Sequence, residues 1–379
     1  MSNVNSFGNI LFFTEKLLVP IGIWPVDDWK NTLWCYIYMF VQCTYFVMVL
    51  VKNLLNPEKG SVENALVLSN GGLILVVYCM TVLSKREKYI KLLDYVKLIR
   101  KPEIRPQERE FLINSAQEFK TIAKGSLSVL ASAFLIRFIL PPIEIVYIKI
   151  FNNENIYKLP PSMAFPASPF LSIDILVYIF ETFMRLLMLG SLVAICSIFI
   201  LTTLHISYKY YSLSLNLEFW EKDDNSIVNG FVKEHNKIIE MAEILNEIFW
   251  PFFFSNCVVS FINCSLCLFS IMANNASLKT SIVELPLLTT GMGQLFFLLY
   301  FGDRLLDASS TISIAAYKSE WYTKRVENQR KIQFIIMRAH RPQTLNVGNN
   351  FLVASIYLFS QICQKSYAAF NVMRTTMTK

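Results

Sequence analysis

The residues that could do chemistry in this sequence are charges placed where charge is expensive. Arg137 and Glu144 lie in one long apolar stretch, and Asp174, Glu181 and Arg185 in another. An ionised side chain at that depth in a bilayer is costly unless it is paired or wetted. Glu181 and Arg185 stand four apart, so on a helix they share a face and can pair. Three uses fit such a set. It can be a structural pair, the polar wall of a cavity in the outer half of the membrane, or a transport site near the midplane built on Arg137, Glu181 and Arg185. Inverted repeats would accompany the last, and none is visible.

Other reactive types are poorly placed for catalysis. His205, His235 and His340 are far apart, with no acidic partner at metal-ligand spacing, and read as residues of a cytosolic surface or interface. Cys264 and Cys267 form a CxxC inside an apolar run with no second pair or histidine nearby, so they read as small packing residues. All eight cysteines lie in apolar runs and no loop offers a pair for a structural disulfide. No Walker motif, GxGxxG, HExxH or GxSxG occurs. The chain reads as a non-enzyme without a cofactor, and its net charge of +7 follows from membrane topology, not from nucleic-acid binding. Asp303-Arg304 has the acidic-basic order of G-protein-coupled receptors, but it ends the sixth span and not the third.

The elements that position these residues are membrane helices. Of 379 residues 54% are hydrophobic, 30 are Phe, and only 17% are charged. Mean hydropathy is +0.42. Seven spans follow, near 33–52, 65–83, 126–148, 170–204, 252–273, 282–301 and 347–370. The fold class is an all-α membrane protein of seven transmembrane helices. The fourth span is too long for one crossing and projects beyond the bilayer. Segments 1–32, 84–125, 205–251 and 302–346 carry 25 Lys and Arg, against 6 in the segments of the opposite side. The excess puts the N-terminus in the cytosol and the C-terminus outside. Asn275-Ala276-Ser277, a glycosylation sequon, then falls outside.

Several stretches are amphipathic. Tyr89, Leu92, Leu93, Val96 and Ile99 share a face of 84–125, with Lys88, Lys91 and Lys97 elsewhere, a solvated extension or a contact with anionic lipid. Residues 228–250 carry Phe231, Val232, Ile238, Ile239, Ala242, Leu245, Ile248 and Phe249 and run into the fifth span at Pro251. Residues 329–341 repeat the theme with Ile332, Ile335, Ile336 and Ala339. Such stripes must be buried, so a cytosolic helical anchor bundle is expected. The segment 302–346 belongs to it, between the transmembrane helices of 1–301 and a last element, 347–379.

That last element is read as a single helix, Val347 to Thr375, apolar enough to cross the membrane. Asn350, Ala354, Tyr357, Gln361, Gln364, Lys365 and Ala368 recur at three and four residues and form a polar stripe. A helix surrounded by lipid has no use for one. The stripe either bonds neighbouring helices or lines a path through the membrane.

The run SSTISIAAYKSEWY (Ser309–Tyr322), the run QRKIQFIIMRAHRP (Gln329–Pro342) and KSYAAF (Lys365–Phe370) together resemble insect odorant receptors. The resemblance implies a tetrameric ligand-gated cation channel in the plasma membrane of sensory dendrites. An odorant-binding subunit assembles there with co-receptor subunits, and the seventh helices line the pore. Gustatory receptors and the co-receptor end on a TYxxxxxQF pattern. Here Tyr367 is kept, and Met373-Arg374 stand in place of Gln-Phe. That points to a tuning subunit in a heterotetramer, with a gustatory-type receptor as the alternative. Alignment puts the hydrophobic gate on Phe370, with Ser366, Met373, Asn371 and Arg374 around it. The resemblance also implies a pocket for a small hydrophobic volatile in the outer half of the membrane. By position its lining is Asn70, Leu73, Ile74, Val77, Phe134, Phe138, Tyr178, Thr182, Leu287 and Gly291.

Overall fold

The computed structural model describes residues 29–55, 61–97, 171–273, 278–348 and 351–377, with further helical residues between 106 and 125. The expected third span, with Arg137 and Glu144, lies outside the described residues, as do the sequon, the loop after the third span and the N-terminal segment. Eight helices carry the described fold: α1 (Trp29–Leu55), α2 (Ser61–Ser84), α3 (Arg86–Lys97), α4 (Leu171–Glu218), α5 (Asn225–Ala273), α6 (Leu278–Lys318), α7 (Val326–Ala339) and α8 (Ile356–Met377). A short antiparallel pair, β1 (Asn346–Val347) and β2 (Leu352–Val353), joins α7 to α8.

Helix length organises the molecule. α4, α5 and α6 run for 48, 49 and 41 residues. At about 1.5 Å per residue each is about twice as long as a ~30 Å hydrocarbon core is thick. Among the described residues these three are long and apolar enough to cross a membrane. Their other halves must therefore pack outside it. Large apolar side chains left exposed on α1 and α4 follow a helical stripe, Leu33, Tyr36, Ile37 and Phe40 on one, Leu176, Ile179, Phe180, Phe183 and Leu186 on the other. Such continuous apolar surface suits lipid and not water.

A helical bundle forms from the C-terminal halves of α4 and α6 and the N-terminal half of α5 with α3 and α7. Tyr89, Leu92, Leu93 and Val96 of α3 are buried, as are Ile332, Ile335 and Ala339 of α7. α5 is continuous from its cap, where Asp224 accepts from the Ser226 amide at 2.9 Å, through Pro251 in its interior. Proline has no N–H to give the carbonyl four residues earlier. That carbonyl belongs to Glu247, and the Lys85 ammonium donates to it at 2.8 Å instead. An aromatic cluster seals the same level. The Tyr78 and Tyr89 hydroxyls are 2.6 Å apart, Tyr78 packs on Phe249 and Phe252, and Phe199 meets Phe253 edge-on at 4.9 Å. Between 106 and 125 two carboxylates tie the chain down. Glu108 accepts from Ser212 on α4 at 2.8 Å. Glu118 accepts from Tyr300 at 2.5 Å and pairs with Arg304 at 3.2 Å, both on α6.

Two sequence expectations need correcting here. His205 and His235 are buried, not surface residues, because the bundle folds around them. The last element is not one helix from Val347. Gly348, at φ +69°, begins a tight turn that leads into β2, so the chain reverses before α8 starts at Ile356. Ala354 is buried beneath Gly302 of α6, and Asn350 lies outside the described residues.

Gly302 makes that joint possible. A Cβ there would sit 2.7 Å from the Ala354 carbonyl oxygen, whereas one at Gly293 would meet nothing within 4 Å. Gly302→Ala should therefore lower the thermal stability of the detergent-solubilised protein by ~1–3 kcal/mol, while Gly293→Ala leaves melting unchanged. The helical bundle should also be acid-sensitive through His235. Burial first, then the nearby Arg338 guanidinium, hold its pKa down to about 4. Its unfolded value is about 6.5, so the unfolded chain takes up the proton first. Stability is full above about 6.5 and falls as pH drops towards 4, by on the order of 2–3 kcal/mol across the window. Burial, then the nearby Lys209, hold His205 down to about 3 in the same way, so melting curves across this pH range should show the loss and His235→Gln should reduce it without abolishing it.

Candidate ligand pocket and permeation helix

The inner face of α4 carries the charged pair anticipated from its spacing. Arg185 Nη2 lies 3.1 Å from Glu181 Oε2, and the two residues are 7% and 2% exposed. The same guanidinium nitrogen donates to the Tyr45 hydroxyl of α1 at 2.9 Å. Tyr178, Glu181 and Arg185 recur at i, i+3 and i+7 and turn away from the apolar face that includes Leu176 and Phe183. The fold thus removes the charges from lipid and pairs them inside the helical layer, as intramembrane ions require.

The expected pocket residues are partly assembled. α2 packs on α4, and α4 packs along α6, so three of the four expected walls adjoin. Ile74 is buried, Val77 half-buried, and Leu73 is 39% exposed. Tyr178, Leu287 and Gly291 are half-buried, and a Cβ added at Gly291 would meet open space. Thr182 is half-buried, but its hydroxyl donates to the Tyr178 carbonyl of its own helix at 2.8 Å. Its proton is committed to the backbone and not to a ligand. Asn70 belongs to α2, but its side chain lies outside the described residues, as do Phe134 and Phe138 altogether. The sequence reading missed Tyr45, whose only signal was its place on the inner stripe of α1.

α8 divides cleanly into two faces. It packs mainly on α5 and then on α6. Leu358, Ile362, Ser366 and Phe370 recur every four residues and are all buried. The Ser366 hydroxyl donates to the Phe261 carbonyl at 3.4 Å, and Ser265 donates to the Ser366 carbonyl at 3.3 Å. Tyr357, Gln364, Ala368, Val372 and Thr375 are exposed on the opposite side, with Gln361 and Asn371 half-buried beside them. At about 100° per residue, Gln364 and Ala368 point nearly opposite to Ser366. Phe370 is 4% exposed and packs within the chain, because it continues the apolar ridge that meets α5. Ser366 goes with it. Of the gate set, Asn371 and Met373 are half-buried and Arg374 is exposed. Among the described residues α8 is not one of the helices that length and composition alone mark as able to cross a membrane.

The foot of α8 is held by α6. Asp303 Oδ2 accepts the Ile356 amide at 2.9 Å, a cap supplied from another helix to the positive end of α8. Phe296 of α6 meets Phe359 edge-on at 5.4 Å. Asp303 and Arg304 therefore serve two different joints, one to α8 and one to Glu118.

The buried pair sets an expectation for mutagenesis. Arg185→Met alone strands a carboxylate in the membrane and should cost ~3–5 kcal/mol, read as lost surface expression. The double change of Glu181→Gln with Arg185→Met should recover most of it.

The 7tm odorant receptor family model matches residues 64–367. Odorant receptor 67c of Drosophila melanogaster is 23% identical over 156 residues, 41% of this chain and 38% of that one. The odorant receptor coreceptor of Aedes aegypti is 22% identical over 148 residues, 39% and 31% of the two chains. The chain thus spans well under half the length of these curated relatives. The solved structure of the insect olfactory receptor OR5 from Machilis hrabei superposes with a TM-score of 0.84, over 98% of this chain and 99% of that one, at 14% identity. A second structure of that receptor, in complex with eugenol, gives the same score. That coverage takes in the long helices, the helical bundle and α8 alike. These are receptors and not enzymes, and with the family pattern running from α2 to the middle of α8, the chain belongs to the insect odorant receptor family.

Proposed function

We propose that this chain is the odorant-binding, tuning subunit of a heterotetrameric, ligand-gated, non-selective cation channel. It acts with co-receptor subunits in the dendritic plasma membrane of olfactory neurons. The observation that carries the reading is the two-faced α8. Its apolar ridge is used up inside the subunit, and a polar face of Tyr357, Gln361, Gln364, Ala368 and Asn371 is left over. A polar face beside lipid is unfavourable, and water in a central pore satisfies it. The pore lining thus shifts from Phe370 to this face.

The remaining assignments follow the same division. Seven spans run from a cytosolic N-terminus to an extracellular C-terminus, on the 25-to-6 excess of basic residues. Residues 1–301 hold the pocket, 302–346 the anchor and 347–379 the pore element. On the anchor, Tyr317, Tyr322, Val326, Phe334 and Met337 are exposed, an apolar surface suited to neighbouring subunits. The pocket lies between α2, α4 and α6, lined by Leu73, Ile74, Val77, Tyr178, Leu287 and Gly291. A volatile gains affinity there by apolar burial, at roughly 25 cal/mol per Å², and gates by binding the open state better than the closed one. The eugenol complex of the Machilis hrabei receptor supports a small organic ligand in this fold.

Co-expression with a co-receptor and recording against a volatile panel tests the channel reading. Odorant-gated current is expected, and silence across the panel at normal surface expression would sink it. Current from this chain alone would remove the heteromer. Thiol reagents should block current at Gln364→Cys or Ala368→Cys and spare Phe370→Cys; the reverse pattern would return the lining to Phe370.

A further inference from the structure

The charges that α8 carries are all positive. Its sequence from Ile356 to Met377 contains Lys365 and Arg374 and no aspartate or glutamate. Arg374, in the last turn, is engaged with other groups. Lys365 is exposed and makes no hydrogen bond or ion pair among the described residues. Its place on the helix follows from the buried ridge. Leu358, Ile362, Ser366 and Phe370 are turned inward. Lys365 stands about 100° from Ser366, on the side of Gln361 and Ala368, its neighbours at i−4 and i+3. Its depth matters as much as its direction. The 22 residues of α8 extend about 33 Å, close to the ~30 Å of a hydrocarbon core. Lys365 lies about 14 Å beyond Ile356 at about 1.5 Å per residue, near the middle of the helix. In a helix that crosses the bilayer, an ammonium at that depth is strongly unfavourable against lipid, and a lysine stem reaches an interface only from near a helix end. Such a charge requires water beside it.

We propose that Lys365 sets the valence selectivity of the pore: its ammonium reaches from the flank of the polar face into the permeation path and disfavours divalent cations, calcium above all, relative to monovalent ones. The inference rests on the channel reading of α8 and names the ion class that the channel admits least. Repulsion scales with the charge of the ion, so a potential that lowers a monovalent cation about twofold lowers a divalent one about fourfold. Monovalent cations still pass, because one ammonium in a water-filled path is screened within ~8–10 Å. No carboxylate on α8 offsets it. Gln361 and Gln364 already satisfy water on this face without a charge, so what Lys365 adds is electrostatic.

The test is made in cells co-expressing this chain and a co-receptor, with sodium inside and calcium outside. Current is evoked by the most active member of a volatile panel (eugenol, pentyl acetate, heptanal), and its reversal potential gives the calcium-to-sodium permeability ratio. The ratio should rise about twofold in Lys365→Gln, rise further in Lys365→Glu, and keep its wild-type value in Lys365→Arg. Lys365→Cys allows the charge to be restored on the folded channel. A methanethiosulfonate carrying a quaternary ammonium should return the ratio to the wild-type value, and a neutral reagent of similar size should leave it raised. The same ratio in wild type, Lys365→Gln and Lys365→Glu overturns the inference and leaves the channel reading standing. Surface expression lost in Lys365→Gln and kept in Lys365→Arg means that the ammonium pairs with a carboxylate of a neighbouring subunit, and the inference fails. Silence of every form at normal surface expression defeats the channel reading and this inference with it.

Discussion

The contact on which the rest of the architecture depends is the joint between α6 and the start of α8. Gly302 lets the Ala354 backbone approach α6 more closely than any side chain would permit. One residue later, Asp303 caps the first turn of α8. The start of α8 is thereby fixed to α6, the same helix that carries Leu287 and Gly291, while Ser366 and Phe370 hold its later turns against α5.

The long helices impose the second constraint. Because α4, α5 and α6 each continue without a break into the helical bundle, the two halves of the molecule cannot fold independently. The structure reinforces α5 where Pro251 interrupts its hydrogen bonds. Lys85 replaces the hydrogen bond that Pro251 cannot make, and aromatic side chains from α2, α3, α4 and α5 close the layer around it. The segment between 106 and 125 adds its carboxylates to α4 and α6 just below.

Local patterns exposed much of this fold. The i,i+4 spacing of Glu181 and Arg185 is a property of helix geometry, and the pair formed as spaced. The stripes of α3 and α7 were equally legible, since an amphipathic helix must bury one side. Gly348 with its neighbouring asparagines carried a turn signal that was overridden by the apolar residues around it.

By itself, then, the sequence determined the class of molecule, its topology bias, its amphipathic helices and the two-sided character of the last helix. These depend on hydrophobicity and on period, which are local. Only the tertiary structure decided which side of α8 faces inward. Phe370 and Gln364 are both present on the helix wheel, and no periodicity says which one packs against α5. The packing of Leu358, Ile362, Ser366 and Phe370 against α5 settles the rotation of the helix, because an apolar ridge that finds a complementary groove leaves the opposite face to water or to a neighbour.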